Sequence, residues 1–263
     1  MRFRDYLVRR LTSMAVTFWG ILTMVFLVAR VLPSSPAQVI LGTKATPEQI
    51  EAIRAQYGLN QPLYVQYVDF FRDFLLHFDL GYSFATQRPV AVEVVQRFPA
   101  TFELTTSAII IAILVGVPLG TLSALYKDRF VDHATRFVAI GGVSVPRFWM
   151  AILTQLLFFY YLGWLPATGR LPQNMTPPAK VTGMLLIDSL VALRFDAFVG
   201  AAKHLLLPAV VLSLGPMAQA ARITRSSMID TLNTDYIEWS RAHGYSSGVI
   251  LVKHALRNAI MPT

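Results

Sequence analysis

TDYIEWSRAHGYSSGVILVKHALRNAIMP, residues 234–262, is the one polar, basic stretch long enough to fold outside an otherwise apolar chain. Its layout predicts two short helices. Asn233 or Thr234 offers an N-cap for the first, and Tyr236, Ile237 and Ala242 give it a partly apolar face. Gly244 can end it in a left-handed turn. Ser246 and Ser247 supply fresh N-caps, and a second helix follows over 249–260 until Pro262 forbids regular helix. Lys253, His254 and Arg257 fall late in this second helix, where positive charge suits the carbonyl end of the dipole. Helix, glycine corner and helix make a compact knob. Two readings stand side by side: a plug that fills a cleft on a partner, or a hairpin docked only on its own bundle.

Outward from this knob the chain is greasy. Of 263 residues, 54% are hydrophobic and only 14% charged, against about 25% charged in a soluble domain, and the mean hydropathy is +0.50. This composition is that of a membrane protein. The net charge of +8 does not require nucleic acid, because basic residues also sort to the cytoplasmic ends of spans. Cysteine is absent, which excludes disulfides and thiolate metal sites. Arg9 and Arg10 precede an apolar run too long for a signal sequence, with no small-x-small cleavage site after it, so the run reads as a retained first span.

The expected fold class is an all-α polytopic membrane protein with four transmembrane helices, over 11–31, 99–126, 137–162 and 205–223. About 20 apolar residues at 1.5 Å each cross a hydrocarbon core. Arg2, Arg4, Arg9 and Arg10 place the N-terminus in the cytoplasm; Pro33 and Pro36 stop the first span. The expected organisation is 1–33 first span, 34–98 periplasmic segment, and 99–263 transmembrane core with a cytoplasmic loop over 226–262. Within 34–98, Thr46-Pro47-Glu48 starts a helix that runs to Tyr57 and ends at Gly58. Residues 64–78 form an amphipathic helix with Tyr67, Phe70, Phe71, Phe74, Leu75 and Phe78 on one face. Asp69, Arg72 and Asp73 interrupt it too often for a span, so it lies at the membrane surface or packs on the periplasmic face. A second outer segment, 163–204, carries turns and an amphipathic stretch over 181–199. Tyr160, Tyr161 and Trp164 fit an aromatic belt, and the lone His204 reads as an interfacial histidine.

A few residues inside the spans carry chemistry. Glu103 lies near the outer end of the second span, where a carboxylate suits a helix N-terminus; contact with a peptide amine is the alternative. Gly116, Pro118 and Gly120 allow close helix approach and a kink, and Gly215-Pro216 another. Gly141, Gly142, Ser144 and Pro146 loosen the third span, and loosened backbone is tolerated in a membrane only where protein or a wet cavity satisfies it. Arg147 follows at once. A buried arginine costs about 2.5–3.5 kcal/mol on insertion scales. It therefore lines a pathway and steers a substrate carboxylate, or else pairs with a neighbour or snorkels along the break.

The wording of several stretches resembles one family. Glu238-Trp239-Ser240, three residues, then Gly244 is similar to the Glu-Ala-Ala-x-x-x-Gly loop of ABC importer permeases, with Trp239 and Ser240 standing where that motif has alanines. Arg241-Ala242-His243-Gly244 and the run 254–262, HALRNAIMP, resemble its dipeptide, oligopeptide and nickel branch, as do 47–53, 57–67, 79–84 and 203–208. Ser144-Val145-Pro146 with Phe148 is similar to a Ser-x-Pro-x-Phe motif of the family, with Arg147 where a small residue is common. The resemblance implies a permease subunit of a bacterial inner-membrane importer for di- or oligopeptides. It implies that the knob is a coupling helix seated on a cytoplasmic ATPase, through Tyr236, Ile237, Glu238, Arg241, Ala242, Gly244, His254, Leu256 and Pro262. Pro146, Arg147 and Glu103 become the candidate translocation-pathway residues. The implied partners are a second permease subunit, cytoplasmic ATPase subunits that hold ATP and Mg, and an extracytoplasmic substrate-binding protein; the outer segment 34–99 helps receive the last. The family typically has six spans and continues past the position of Pro262, so this chain is expected to stop two spans short.

No Gly-x-x-x-x-Gly-Lys-Ser/Thr loop is present to cradle phosphates, nor a nucleophile elbow, a His-Glu-x-x-His pair or paired intramembrane acids. The chain is expected to hold no cofactor or metal, to catalyse nothing, and to receive energy from elsewhere. The alternatives are a non-transporting membrane scaffold or receptor, and a permease for nickel or another small solute.

Overall fold

The computed structural model describes residues 3–30, 46–56, 58–83, 86 and 88–262. The expectations for Val31, Pro33, Pro36, Tyr57 and Phe84 lie outside the described residues. Helix dominates throughout, and the chain divides into two compact units, residues 1–97 and 98–263.

In the first unit, α1 (Phe3–Arg30) is long and apolar enough to cross a membrane. Helix α2 (Pro47–Gln56) starts with a reciprocal capping box. The Gln49 N–H donates to Thr46 Oγ1 at 3.3 Å, and the Thr46 N–H donates to Gln49 Oε1 at 3.0 Å, which satisfies two otherwise unpaired amides. Helix α3 (Leu63–His77) ends where Phe78 turns left-handed at φ 53°. Helix α3 runs antiparallel along α1. Gln66 meets Arg30, Tyr67 and Phe70 meet Phe26, and Phe74 meets Phe18. A hydrogen bond of 2.8 Å between Tyr67 and Thr23 pins the register. The physical reason is that the aromatic face of α3 finds apolar rings to bury against on the span itself.

Helix α4 (Val90–Leu125) begins upstream of the expected start at 99, and Pro99 and Pro118 sit inside it. Helix α8 (Phe195–Leu232) likewise absorbs the expected kink site Gly215-Pro216 and outruns the expected span 205–223. These two pack backbone to backbone. A Cβ on Gly116 would stand 2.7 Å from the Met217 carbonyl, and one on Gly120 would overlap the Ala221 carbonyl and sit 2.8 Å from Thr224 Cβ. Only glycine permits that approach.

Three helices, α1, α4 and α8, are long and apolar enough to cross a membrane among the described residues. The expected third span, 137–162, is not one of them. It is split into α5 (Phe130–Ser144), α6 (Arg147–Gln155) and a π-helical segment, Leu156–Tyr161. The cause is Pro146. Its ring excludes helical backbone at Val145, which is extended at φ −88°, ψ 132°. Both α5 and α6 pack against α8. Tyr160, Tyr161 and Trp164 are exposed beyond them.

The expected amphipathic stretch 181–199 resolves into α7 (Leu185–Val191) and the start of α8, parted by Leu193 at φ 53°. Past α8 come α9 (Asp235–Ala242), the turn at Gly244, and a second arm of α10 (Ser247–Val249), a π-helical segment (Ile250–Leu256) and α11 (Arg257–Ala259).

Candidate functional site

The hairpin of α9 and the second arm forms as its sequence predicts, with two corrections. Thr234 holds the N-cap position of α9, but its hydroxyl turns away and donates to the Thr231 carbonyl at 2.6 Å. Ser246 stands at the N-cap of the second arm without a side-chain cap bond. Gly244 makes the corner at φ 75°, a conformation that L side chains resist. One side of the hairpin is anchored: Ile237, Ile250, Ala255 and Ala259 form a buried cluster with Ala124 of α4 and Met228 of α8. Tyr236 ties the two arms, its hydroxyl accepting from Asn258 Nδ2 at 2.8 Å and donating to the His254 carbonyl at 3.3 Å. The opposite side is bare. Glu238, Arg241, Ala242, Gly244 and Pro262 are exposed, and Trp239, 57% exposed, lies on the His243 ring with centroids 3.7 Å apart. His254 and Leu256 are half-buried. Of the expected coupling residues, then, Ile237 serves the hairpin's own anchorage, while Glu238, Arg241 and Gly244 face outward.

Two of the three pathway candidates, Glu103 and Arg147, fall in different cavities. Arg147, with Pro146 as N-cap residue of α6, lines an open cavity of about 650 Å³ towards the hairpin end of the core, together with Arg136, Gln219, Arg222 and Arg225. Its Nη2 lies where a Cβ on Gly215 would be 3.1 Å away, so the missing side chain makes room for the guanidinium. The expectation that Arg147 pairs with a neighbour is not met by any carboxylate among the described residues.

Behind that cavity lies a constellation the sequence reading passed over. Asp132 is fully buried. Arg225 binds it with both arms of its fork, Nε to Oδ1 and Nη2 to Oδ2, each at 2.7 Å. Ser123 Oγ donates at 2.6 Å, the Asp128 N–H at 3.0 Å and Arg136 Nη2 at 3.1 Å. Asp128 presents that amide from a left-handed turn at φ 60°. The Arg225 fork, aided by Ser123 and the Asp128 amide, holds the Asp132 carboxyl below the usual carboxylate range despite its burial. The spacing Asp132 to Arg136, four apart on a helix, was the one local signal available; Arg225 is too distant in sequence to have given any.

Glu103 sits at the far end of the core and is buried. It lies well inside α4, so it cannot cap its own helix. It caps another: Oε1 accepts the Leu186 N–H in the first turn of α7 at 2.6 Å, and Oε2 accepts from Arg170 Nη2 at 2.8 Å. Asp188 closes the knot. It accepts from the Thr182 N–H and hydroxyl, both at 2.7 Å, and from the Gly183 N–H at 2.9 Å. Burial pushes the Asp188 carboxyl up, but these donors outweigh it and the net direction is down. Glu103, Arg170 and His204 line a second cavity of about 270 Å³. His204 bonds the Gly200 carbonyl through Nδ1 at 2.8 Å, and no group of metal-ligating side chains gathers around it among the described residues.

The comparisons decide what this architecture belongs to. Residues 116–263 match the family described as binding-protein-dependent transport system inner membrane component, and residues 3–105 match its N-terminal companion. The chain belongs to this family. It is a multi-pass inner-membrane permease component. The permease is 40% identical over 263 residues to a probable D,D-dipeptide transport system permease protein of Escherichia coli (strain K12), covering 100% of this chain and 77% of that protein. It is 40% identical over 257 residues to a dipeptide transport system permease protein of Alkalihalophilus pseudofirmus, with 98% and 77% covered. A di/tripeptide transport system permease protein of Pseudomonas aeruginosa is 37% identical over 259 residues, with 98% and 76% covered. These names disfavour the scaffold and nickel readings.

Proposed function

We propose that the permease forms half of a translocation pathway for di- or oligopeptides and that its α9 hairpin couples this pathway to a cytoplasmic ATPase. The observation that carries the coupling role is the two-sided hairpin. Its anchored side moves with α4 and α8 through Met228 and Ala124, while its bare side offers Glu238, Trp239 and Arg241 to a partner. A rigid plug of this kind transmits motion because the contacts on its two faces belong to different bodies. Peptides are the substrate class because relatives over nearly the whole chain carry peptide-transport names. A second permease subunit, ATPase subunits holding ATP and Mg, and an extracytoplasmic binding protein complete the assembly. The N-terminus and the hairpin lie on the cytoplasmic side, and the broken α5–α6 element completes a fourth crossing.

The test separates the two faces. Glu238→Lys and Trp239→Ala change only the bare side, so the protein inserts and melts as the wild type does. ATPase subunits then co-purify at least tenfold less, or hydrolyse ATP without peptide uptake. Full uptake and full co-purification in both variants refute the coupling role. Gly244→Pro adds a check on the corner, since proline's φ near −65° cannot replace +75°.

A further inference from the structure

The cavity beside Arg147 carries more positive charge than its surroundings balance. Arg136, Arg147, Arg222 and Arg225 line it, and no acidic residue does. Behind its wall, Asp132 is already occupied by the fork of Arg225 and by Arg136, and Asp128 acts on Arg225 as well. Arg222 reaches only the neutral Gln219 Oε1, at 2.7 Å, and Arg147 faces no carboxylate among the described residues. Arg147 also opens the first turn of α6, so the unpaired amides of that helix start add to the positive potential there. The absent side chain at Gly215 leaves the guanidinium free to lie along α8 rather than being pushed out.

Guanidiniums that line one open cavity repel one another unless an anion sits among them. Planar forks of this kind match a carboxylate in shape as well as in charge. The volume, about 650 Å³, falls in the range of about 300–1,000 Å³ typical of small-molecule sites. Resting on the peptide reading above, we propose that this cavity is a transient site for the C-terminal carboxylate of the peptide in transit, held chiefly by Arg147 and Arg222. Asp132 and Arg225 are its wall: the ion pair fixes α5 against α8 and leaves the remaining cations for the ligand. A phosphate headgroup of an anionic lipid shares enough of this chemistry to be a rival occupant.

The experiment uses the assembled permease in nanodiscs of zwitterionic lipid, without binding protein, and measures binding of Ala-Ala and of Ala-Ala-amide by calorimetry. The free carboxylate is expected to bind about tenfold more tightly than the amide, the scale of one charge-assisted contact. Arg147→Gln and Arg222→Gln each shrink that preference to about threefold or less, and Arg147→Lys keeps part of it. Equal affinity for the two probes, no measurable binding, or an unchanged preference in both Gln variants overturns the proposal. So does loss of the preference when phosphatidylglycerol replaces the zwitterionic lipid, which assigns the cavity to a headgroup. Peptide uptake by the complete wild-type system, measured in parallel, tests the peptide reading by itself: uptake without the carboxylate preference defeats only the site.

Discussion

The two ends of the core bury carboxylates by opposite means. At the far end, Asp188 and Glu103 are satisfied largely by backbone N–H groups of the loop before α7 and of its first turn, with Arg170 as the one cation in contact among the described residues. At the hairpin end, Asp132 is satisfied chiefly by guanidiniums. Backbone donors are neutral dipoles fixed by the fold, so the far end is held in shape and left without excess charge. Guanidiniums are fully charged and here grip the carboxylate in fixed geometry, so the hairpin end is both clamped and left basic. The first arrangement suits a rigid outer cap. The second suits a place where anions pass and where helices must hold register while a partner pulls on the hairpin.

The contrast can be broken most forcefully at Asp132. Asp132→Asn strands the half-buried Arg225 fork and leaves a neutral amide in the fully buried position, and breaking a buried pair costs up to about 3–5 kcal/mol. The melting temperature of the purified assembly should fall accordingly, and Arg225→Gln added to Asp132→Asn should recover part of the loss. A double variant as unstable as the sum of its singles would show that the pair is not coupled. Next in size is Ile237→Ala, which removes apolar bulk from a fully buried position at a cost of about 2–5 kcal/mol. It should loosen the hairpin while Trp239→Ala does not, and limited proteolysis near Gly244 would report the difference. Asp188→Asn follows. The amide keeps acceptor capacity but loses charge-assisted strength to three donors, about 1–3 kcal/mol. Glu103→Gln should be milder, about 1 kcal/mol, because its amide oxygen can still accept the Leu186 N–H and Arg170, 44% exposed, stays in water. A greater loss from Glu103→Gln than from Asp132→Asn would reverse the comparison.

How legible this was in the sequence depended on how local each cause is. The capping box at Thr46 and Gln49, the corner at Gly244 and the break at Pro146 each rest on neighbouring residues, and each could be placed from spacing alone. The small-residue contacts of Gly116 and Gly120 could be anticipated as a type, though not their partners Met217 and Ala221. The lengths of α4 and α8 could not. Proline signalled a start at 99 and a kink at 216, whereas in a helix bundle the freed carbonyls are tolerated and the helix runs on. Hydropathy sets the bounds of the third span but is blind to the single extended residue at Val145, which only the Pro146 signal locates. Glu103 was assigned to the nearest helix start, when the amide it caps belongs to Leu186, far along the chain. Asp132 gives no comparable signal, because its main partner, Arg225, lies on another helix.

The smallest effect, and the sharpest check on the balance of forces, is the response to pH. Asp132 and Asp188 both have carboxyls held below the ordinary value of 3.8. A group depressed by folding contributes its stability in full above its unfolded pKa and loses it progressively as the pH falls from there through the lower, folded value. From about pH 5 to about pH 8 neither carboxylate changes charge in either state, so neither adds slope to the stability curve. The melting-temperature gap between the wild type and Asp132→Asn should therefore stay constant across that window. Below the ordinary carboxylate range it should narrow, because the unfolded chain then takes up a proton that the native Asp132 refuses. A gap that widens steadily as the pH falls from about 7 to about 5 would mean that the carboxyl titrates high, with burial outweighing the guanidiniums. In that case the hairpin end is not the charge-clamped region that sets it apart from the backbone-capped far end.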